Sequence, residues 1–433
     1  MKTNATQIII LGIFILFLVT GVIVFAKFST SSNTNADATQ VVIWGTVPEG
    51  AIANVLDVVS GQKMASINIA YKEIPANNFE QTLIESLADG YGPDAVLLPN
   101  TLLLKNQRKF TVISTDALSA RTFQDTFVEG AEPLMTSKGT YGVPLLVDPL
   151  VMYWNRNILT SKNVARPPQT WEEVLSLTNL LTERRDDRSI LKSTVAMGDY
   201  SNVAYSKDIL LALTMQAGGV FVGRDSNDRA VNLLNADSAI DSLSPFSASL
   251  TFFTQFSDPL KSVYSWNRSL PDSEKSFING DLAFYFGHAS DAGDIRAKNP
   301  NLNFDIAPLP QPKDSAVKVT SGTMYSFSIL ATSKNQQAAF NNISVLTSAP
   351  IASLISSATG LPPARRDLLS ASPGTSFGDV FWESALWTKT WLDPDPIQTS
   401  IAFAQGVDDI VTGKSKPADS AKLISQQVDE LLK

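Results

Sequence analysis

Apolar positions along this chain alternate between two periods. "VVIWG" (41–45) is a short β-branched run closed by glycine, and Ile52, Val55, Leu56 and Val59 behind it recur at helical spacing. "SINIAY" (66–71) reads as a second strand. Phe79, Leu83, Ile84 and Leu87 mark a helix stopped by Gly90, and "PDAVLLP" (93–99) is a third strand. Strands alternating with amphipathic helices predict a mostly parallel sheet covered on both faces. Ligands bind beyond the carboxyl ends of such strands, so Trp44 at the end of the first is a candidate binding residue; a core tryptophan is the competing reading.

The pattern then breaks in "YGVPLLVDPLVMYWN" (141–155), strand-like in content but carrying two prolines and a carboxylate. It resumes with "PPQTWEEVLSLTNLL", where Thr170 as N-cap and Glu173 three residues on form a capping box. Helices are predicted at 206–217, around 237–256 with Pro245 inside, at 272–279, 290–298 and 334–347. Strands are predicted at 281–287, 303–310 and 324–330. A last helix follows Pro417, with Ala421, Ile424, Val428 and Leu431 on one face.

Ahead of all this, Gln7 to Ala26 is an uncharged apolar run between Lys2 and Lys27. It is long enough to span a bilayer as a helix, which predicts a membrane anchor through residues 8–26 within a segment 1–27; a signal peptide cleaved near Asn35–Ala38 is the alternative. Residues 28–40, "FSTSSNTNADATQ", are a flexible tether with a mean reach of about 20 Å. Both readings place the body outside the cytoplasm, in the first case at the cell membrane on a single-pass anchor.

The 433 residues exceed the size at which one core stops growing, so two domains are expected. A net charge of −8 without a basic stripe argues against nucleic acid. Without cysteine there is no disulfide, thiolate metal site or lipoprotein anchor, and His288 as sole histidine excludes His-rich zinc sites. "DSND" (225–228) fails as a calcium loop because Ala230 and Ala236 replace the required glycine and glutamate. No metal, cofactor or catalytic residue is predicted.

Several segments in order resemble the family 1 extracellular solute-binding proteins of sugar ABC importers, the maltose-binding-protein-like group. They are "YGVPLLVDPLVMYWNRNIL", "RPPQTWEEV", "FINGDLAFYFG", "FDIAPLPQP", "SGTMYSFSILATSKNQQAAF" and "GLPPARRDLL". The resemblance implies an α/β, two-lobed periplasmic-binding-protein-like fold of type II, closing by hinge motion on a solute. A first lobe would hold 41–148 with 311–355 and a second 149–310 with 356–433. Val143–Val147 would then finish in the first lobe, Asp148 and Pro149 would mark the crossing, and "LVMYWN" would enter the second, two strand ends sharing a hinge. The implied partners are a sugar or oligosaccharide and the permease subunits of an ABC importer, with the receptor a monomer.

Sugars are bound by aromatic platforms beside carboxylates, amides and arginines. The candidates are Trp44, Trp266, Trp387 and Trp391, each of which core packing could also explain. Asp148 could reach ligand hydroxyls or cap a turn before Pro149. His288 follows the "AFYFG" strand, where the family motif borders the cleft and Phe284 replaces the usual Met. Gly322 and Thr323, beside Ser321, precede a strand where small residues admit a ligand, and Arg365 follows "LPPA". An exported hydrolase using a carboxylate pair is the enzyme alternative, although no "GxSxG" or "HExxH" is present; a surface ligand-sensing domain is a third class.

Overall fold

The computed structural model describes residues 40–65, 67–234 and 244–433. The predicted anchor, residues 28–39 of the tether, and residues 237–243 of one predicted helix lie outside the described residues. The chain opens with β1 (Val41–Gly45), α1 (Glu49–Gly61), β2 (Ile69–Glu73), α2 (Phe79–Ala88) and β3 (Ala95–Pro99). Ile52, Val55 and Val59 form the buried face of α1, as their spacing predicts, and each such side chain contributes about 1.5–3 kcal/mol by leaving water.

A long strand β4 (Val143–Asn155) is followed by α3 (Trp171–Leu181), β5 (Ile190–Val195), α4 (Ser206–Gln216) and α5 (Pro245–Thr254). Thr170 Oγ1 accepts the Glu173 amide, and the Glu173 carboxylate reaches back to the Gln169 amide at 2.6 Å. Arg166 beside it and that amide hold Glu173 down at about 2. Pro245 was predicted inside a helix; it opens α5, with Ser244 as the cap, because its missing N–H costs nothing there.

Then come β6 (Leu282–His288), α6 (Asp291–Lys298), β7 (Phe304–Pro308), β8 (Thr320–Ile329), α7 (Gln336–Leu346), α8 (Ala349–Thr359), α9 (Gly378–Trp387), α10 (Pro396–Val411) and α11 (Pro417–Leu431). The main sheet runs β2-β1-β3-β8-β4-β6-β5, with β7 also on β4. β1 pairs parallel with β2 and β3, and β6 with β5, but β8 pairs antiparallel with β3 and β4, and β4 antiparallel with β6 and β7. The sheet is therefore mixed, where alternation predicted mostly parallel pairing.

β4 explains the interrupted stretch. It is one continuous strand, not two strand ends, and it changes neighbours within itself: Val143–Pro149 pair with β8, and Leu150–Trp154 pair with β6. Pro149 is tolerated at that change because its carbonyl serves Ala289 N at 3.0 Å and no donor is required of it. Opposite Pro149 stands Gly322, where a Cβ would come within 2.8 Å of the Asp148 carbonyl. Glycine is needed there for the close approach of two strands. The buried core extends through both halves of the sheet.

Candidate functional site

The register of β4 assembles the site. Asp148 pairs with Thr323 on β8, and Leu150, two residues on, pairs with His288 at the end of β6. Residues 140 positions apart in sequence thereby meet: His288 Nδ1 lies 2.9 Å from the Asp148 carbonyl oxygen. Beside them is a cavity of about 480 Å³ lined by Asp148, His288, Thr323, Tyr325, Thr101, Ser290, the start of α4 (Tyr205, Ser206, Lys207, Asp208), Tyr200, Val203, Trp391, Pro396 and Ser400.

His288 is 6% exposed and stands between two carboxylates, with Asp148 Oδ1 4.0 Å from Nδ1 and Asp208 Oδ2 3.8 Å from Nε2. Burial opposes the imidazolium most strongly, yet Asp208 and Asp148 together outweigh it and raise the ring to about 10, so both nitrogens carry protons at neutral pH. Asp148 is 4% exposed; its Oδ1 accepts from Ser290 N at 3.0 Å. Behind the ring, Asp291 accepts from the Tyr205 hydroxyl at 2.9 Å, the Tyr285 hydroxyl at 3.2 Å and the His288 amide at 3.1 Å. Burial raises the Asp291 carboxyl, against the nearby His288 charge.

Tyr205 caps α4 in the left-handed region, φ 55°, which is strained for a tyrosine. That conformation sets its ring edge-on to His288 with centroids 4.6 Å apart. Lys207, next but one, is bonded to the fully buried Asp393, to Thr399 Oγ1 at 2.7 Å and to the Pro396 carbonyl, and its ammonium lies 5.3 Å from the Trp391 ring centre. Burial raises the Asp393 carboxyl, with Lys207 acting against that shift.

Of the residues singled out from sequence, Asp148, His288, Thr323 and Trp391 line this cavity, and Gly322 is packed at the strand crossing beside it. The others lie elsewhere. Trp44 is buried in β1 between Lys72 and Val96, with the Lys72 ammonium 5.2 Å from its ring. Trp266, 1% exposed, donates to Asn202 Oδ1 at 2.9 Å inside the core. Arg365 grips Asp367 with two nitrogens and the Thr347 carbonyl with a third. Trp387 is half-buried with Lys318 over its ring.

Sequence reasoning missed Tyr200, Tyr205, Lys207, Asp208 and Tyr325. The one local signal was "SKD" in the first turn of an otherwise apolar helix, "SKDILLALTMQ". A second cavity of about 530 Å³ shares Trp391 but has an apolar floor of Met135, Met215, Phe221 and Val222. Among the described residues no group of His, Asp and Glu could hold a metal ion, and no single helix is long and apolar enough to cross a membrane.

A profile described as bacterial extracellular solute-binding protein matches residues 61–378. No curated protein sequence matches the chain. Similar solved structures include the cyclic α-maltosyl-1,6-maltose binding protein from Arthrobacter globiformis, with a TM-score of 0.73 and 18% identity over 91% of this chain and 99% of that one. The sugar-binding protein MalE from Xanthomonas citri gives 0.71 and 17% over 91% and 97%. The maltose-maltodextrin binding protein of Alicyclobacillus acidocaldarius gives 0.65 and 16% over 90% and 100%.

Proposed function

Because this chain belongs to the bacterial extracellular solute-binding proteins, we propose that it captures a sugar or oligosaccharide in the cavity beside Asp148 and His288 and delivers it to an ABC importer. The observation that carries the reading is the change of partners within β4, with a polar and aromatic cavity at that point. Carboxylates and a serine and threonine rim can satisfy hydroxyls, while Tyr200, Tyr205, Tyr325 and Trp391 offer ring surface to the apolar faces of a pyranose. Lining residues come from β8 on one side of the crossing and from β6 and α4 on the other, so closure about β4 would tighten both sets on one ligand.

In this reading the lobes are 41–148 with 311–355 and 149–310 with 356–433, and the receptor acts as a monomer. The sugar-named binding proteins among its structural neighbours support a carbohydrate. The run Gln7–Ala26 would hold the body at the cell membrane through the tether 28–40.

Melting curves of the purified body with a panel of mono- and oligosaccharides test the proposal, since a bound ligand stabilises by RT ln(1 + [L]/Kd). A shift with at least one sugar, without product release, is the expected result. Turnover of an oligosaccharide would sink the receptor reading, and a panel with no shift would sink the carbohydrate.

A further inference from the structure

We propose that this cavity selects an amino sugar, carrying a protonated amine, over the neutral sugar of the same shape; the inference rests on the cavity being the sugar site. The cations already present are taken. Lys207 gives its three donors to Asp393, Thr399 and the Pro396 carbonyl, and His288 is shared between Asp148 and Asp208. The carboxylates are not. Among the described residues, Asp148, more than nine-tenths buried, accepts only the Ser290 amide on Oδ1, and no donor reaches its Oδ2. Among the same residues the Asp208 carboxylate, 29% exposed, meets only the His288 ring at 3.8 Å.

One imidazolium between two carboxylates leaves a formal negative charge facing the cavity. A hydroxyl would fill the empty acceptor positions but leave that charge in a half-enclosed site of lowered dielectric. An ammonium supplies three donors and the missing charge together. The rings of Tyr200, Tyr205 and Tyr325 around the same space favour a cation over a neutral group.

Calorimetry at about pH 6, where a sugar amine is protonated, compares matched pairs: glucosamine with glucose, galactosamine with galactose, and the β-1,4 glucosamine disaccharide with cellobiose. The expected result is at least one pair in which the amine binds about tenfold tighter or more. Asp208→Asn, at the partly exposed carboxylate in the first turn of α4 and checked for folding by circular dichroism, should narrow that ratio to below about threefold. Neutral sugars binding as tightly as their amines would overturn the inference and leave the sugar reading standing. Failure of every sugar, charged or neutral, would overturn both.

Discussion

Two buried cations face the same cavity and are treated oppositely. Lys207 and Asp393 form a closed group, in which Thr399 and the Pro396 carbonyl satisfy what the ion pair leaves over. His288 sits in an open group, where Asp148 and Asp208 have acceptor capacity that no donor among the described residues fills. A closed ion pair stabilises and positions; here it holds Lys207 against the Trp391 ring, and so fixes one wall. An open one is receptive, because its remaining valence is available to a ligand.

The sharpest way to break the comparison is Asp393→Ala. It strands an ammonium that is only 14% exposed and should cost about 3–5 kcal/mol in urea unfolding. Asp148→Asn keeps an oxygen for Ser290 N while removing the charge, so it should act chiefly on the ligand, weakening binding about 10- to 100-fold by calorimetry. Asp148→Ala is less informative, since it removes the acceptor of a buried amide as well. A loss of stability larger for Asp148→Asn than for Asp393→Ala would reverse the roles assigned to the two groups.

The open group also predicts a pH dependence. His288 titrates near 6.5 when unfolded and is raised to about 10 when folded, so its stabilising contribution is complete below about pH 6.5 and is lost as pH rises toward 10. Urea midpoints between those limits should fall with pH, and the slope should shrink in His288→Gln. The smallest effect belongs to residues outside the cavity: Trp387→Leu should leave affinity within about twofold and cost no more than about 1 kcal/mol.

The same contrast explains what could be read from sequence. α1, α3 and α11 announce themselves because each has one buried face of uniform period, or a cap whose partners lie within four residues, and β1 does so as a short β-branched run closed by glycine. α8 and α10, "APIASLISSAT" and "PIQTSIAFAQGVDDIV", escaped although each has a proline in its first turn and a buried face, marked by Ile351 and Ile355 in one and by Phe403 and Val407 in the other. The prolines of 141–155 marked the place where the strand changes partners, but the strand they interrupt is continuous, since its neighbours change instead of its backbone.

Asp148 was legible as a carboxylate inside an apolar strand, and His288 as a polar residue at a strand end. Tyr205, Lys207 and Asp208 were not, because their partners Asp291, Asp393 and His288 lie 80 or more residues away and leave no local pattern. The tryptophans misled for a related reason. Their ring size suits a sugar platform and a core equally, and only the packing separates Trp391 at the cavity from Trp266 beneath the surface.

His288 is the only histidine in the chain, so its ring resonances need no assignment. Following them by nitrogen-detected NMR while sugars are added at about pH 7 tests directly whether the open group is the binding site. The predicted result is an imidazolium spectrum that shifts saturably with the sugar that raises the melting temperature, and does so with the same Kd. A sugar that stabilises the protein while leaving those resonances unmoved would place the ligand elsewhere and contradict the site.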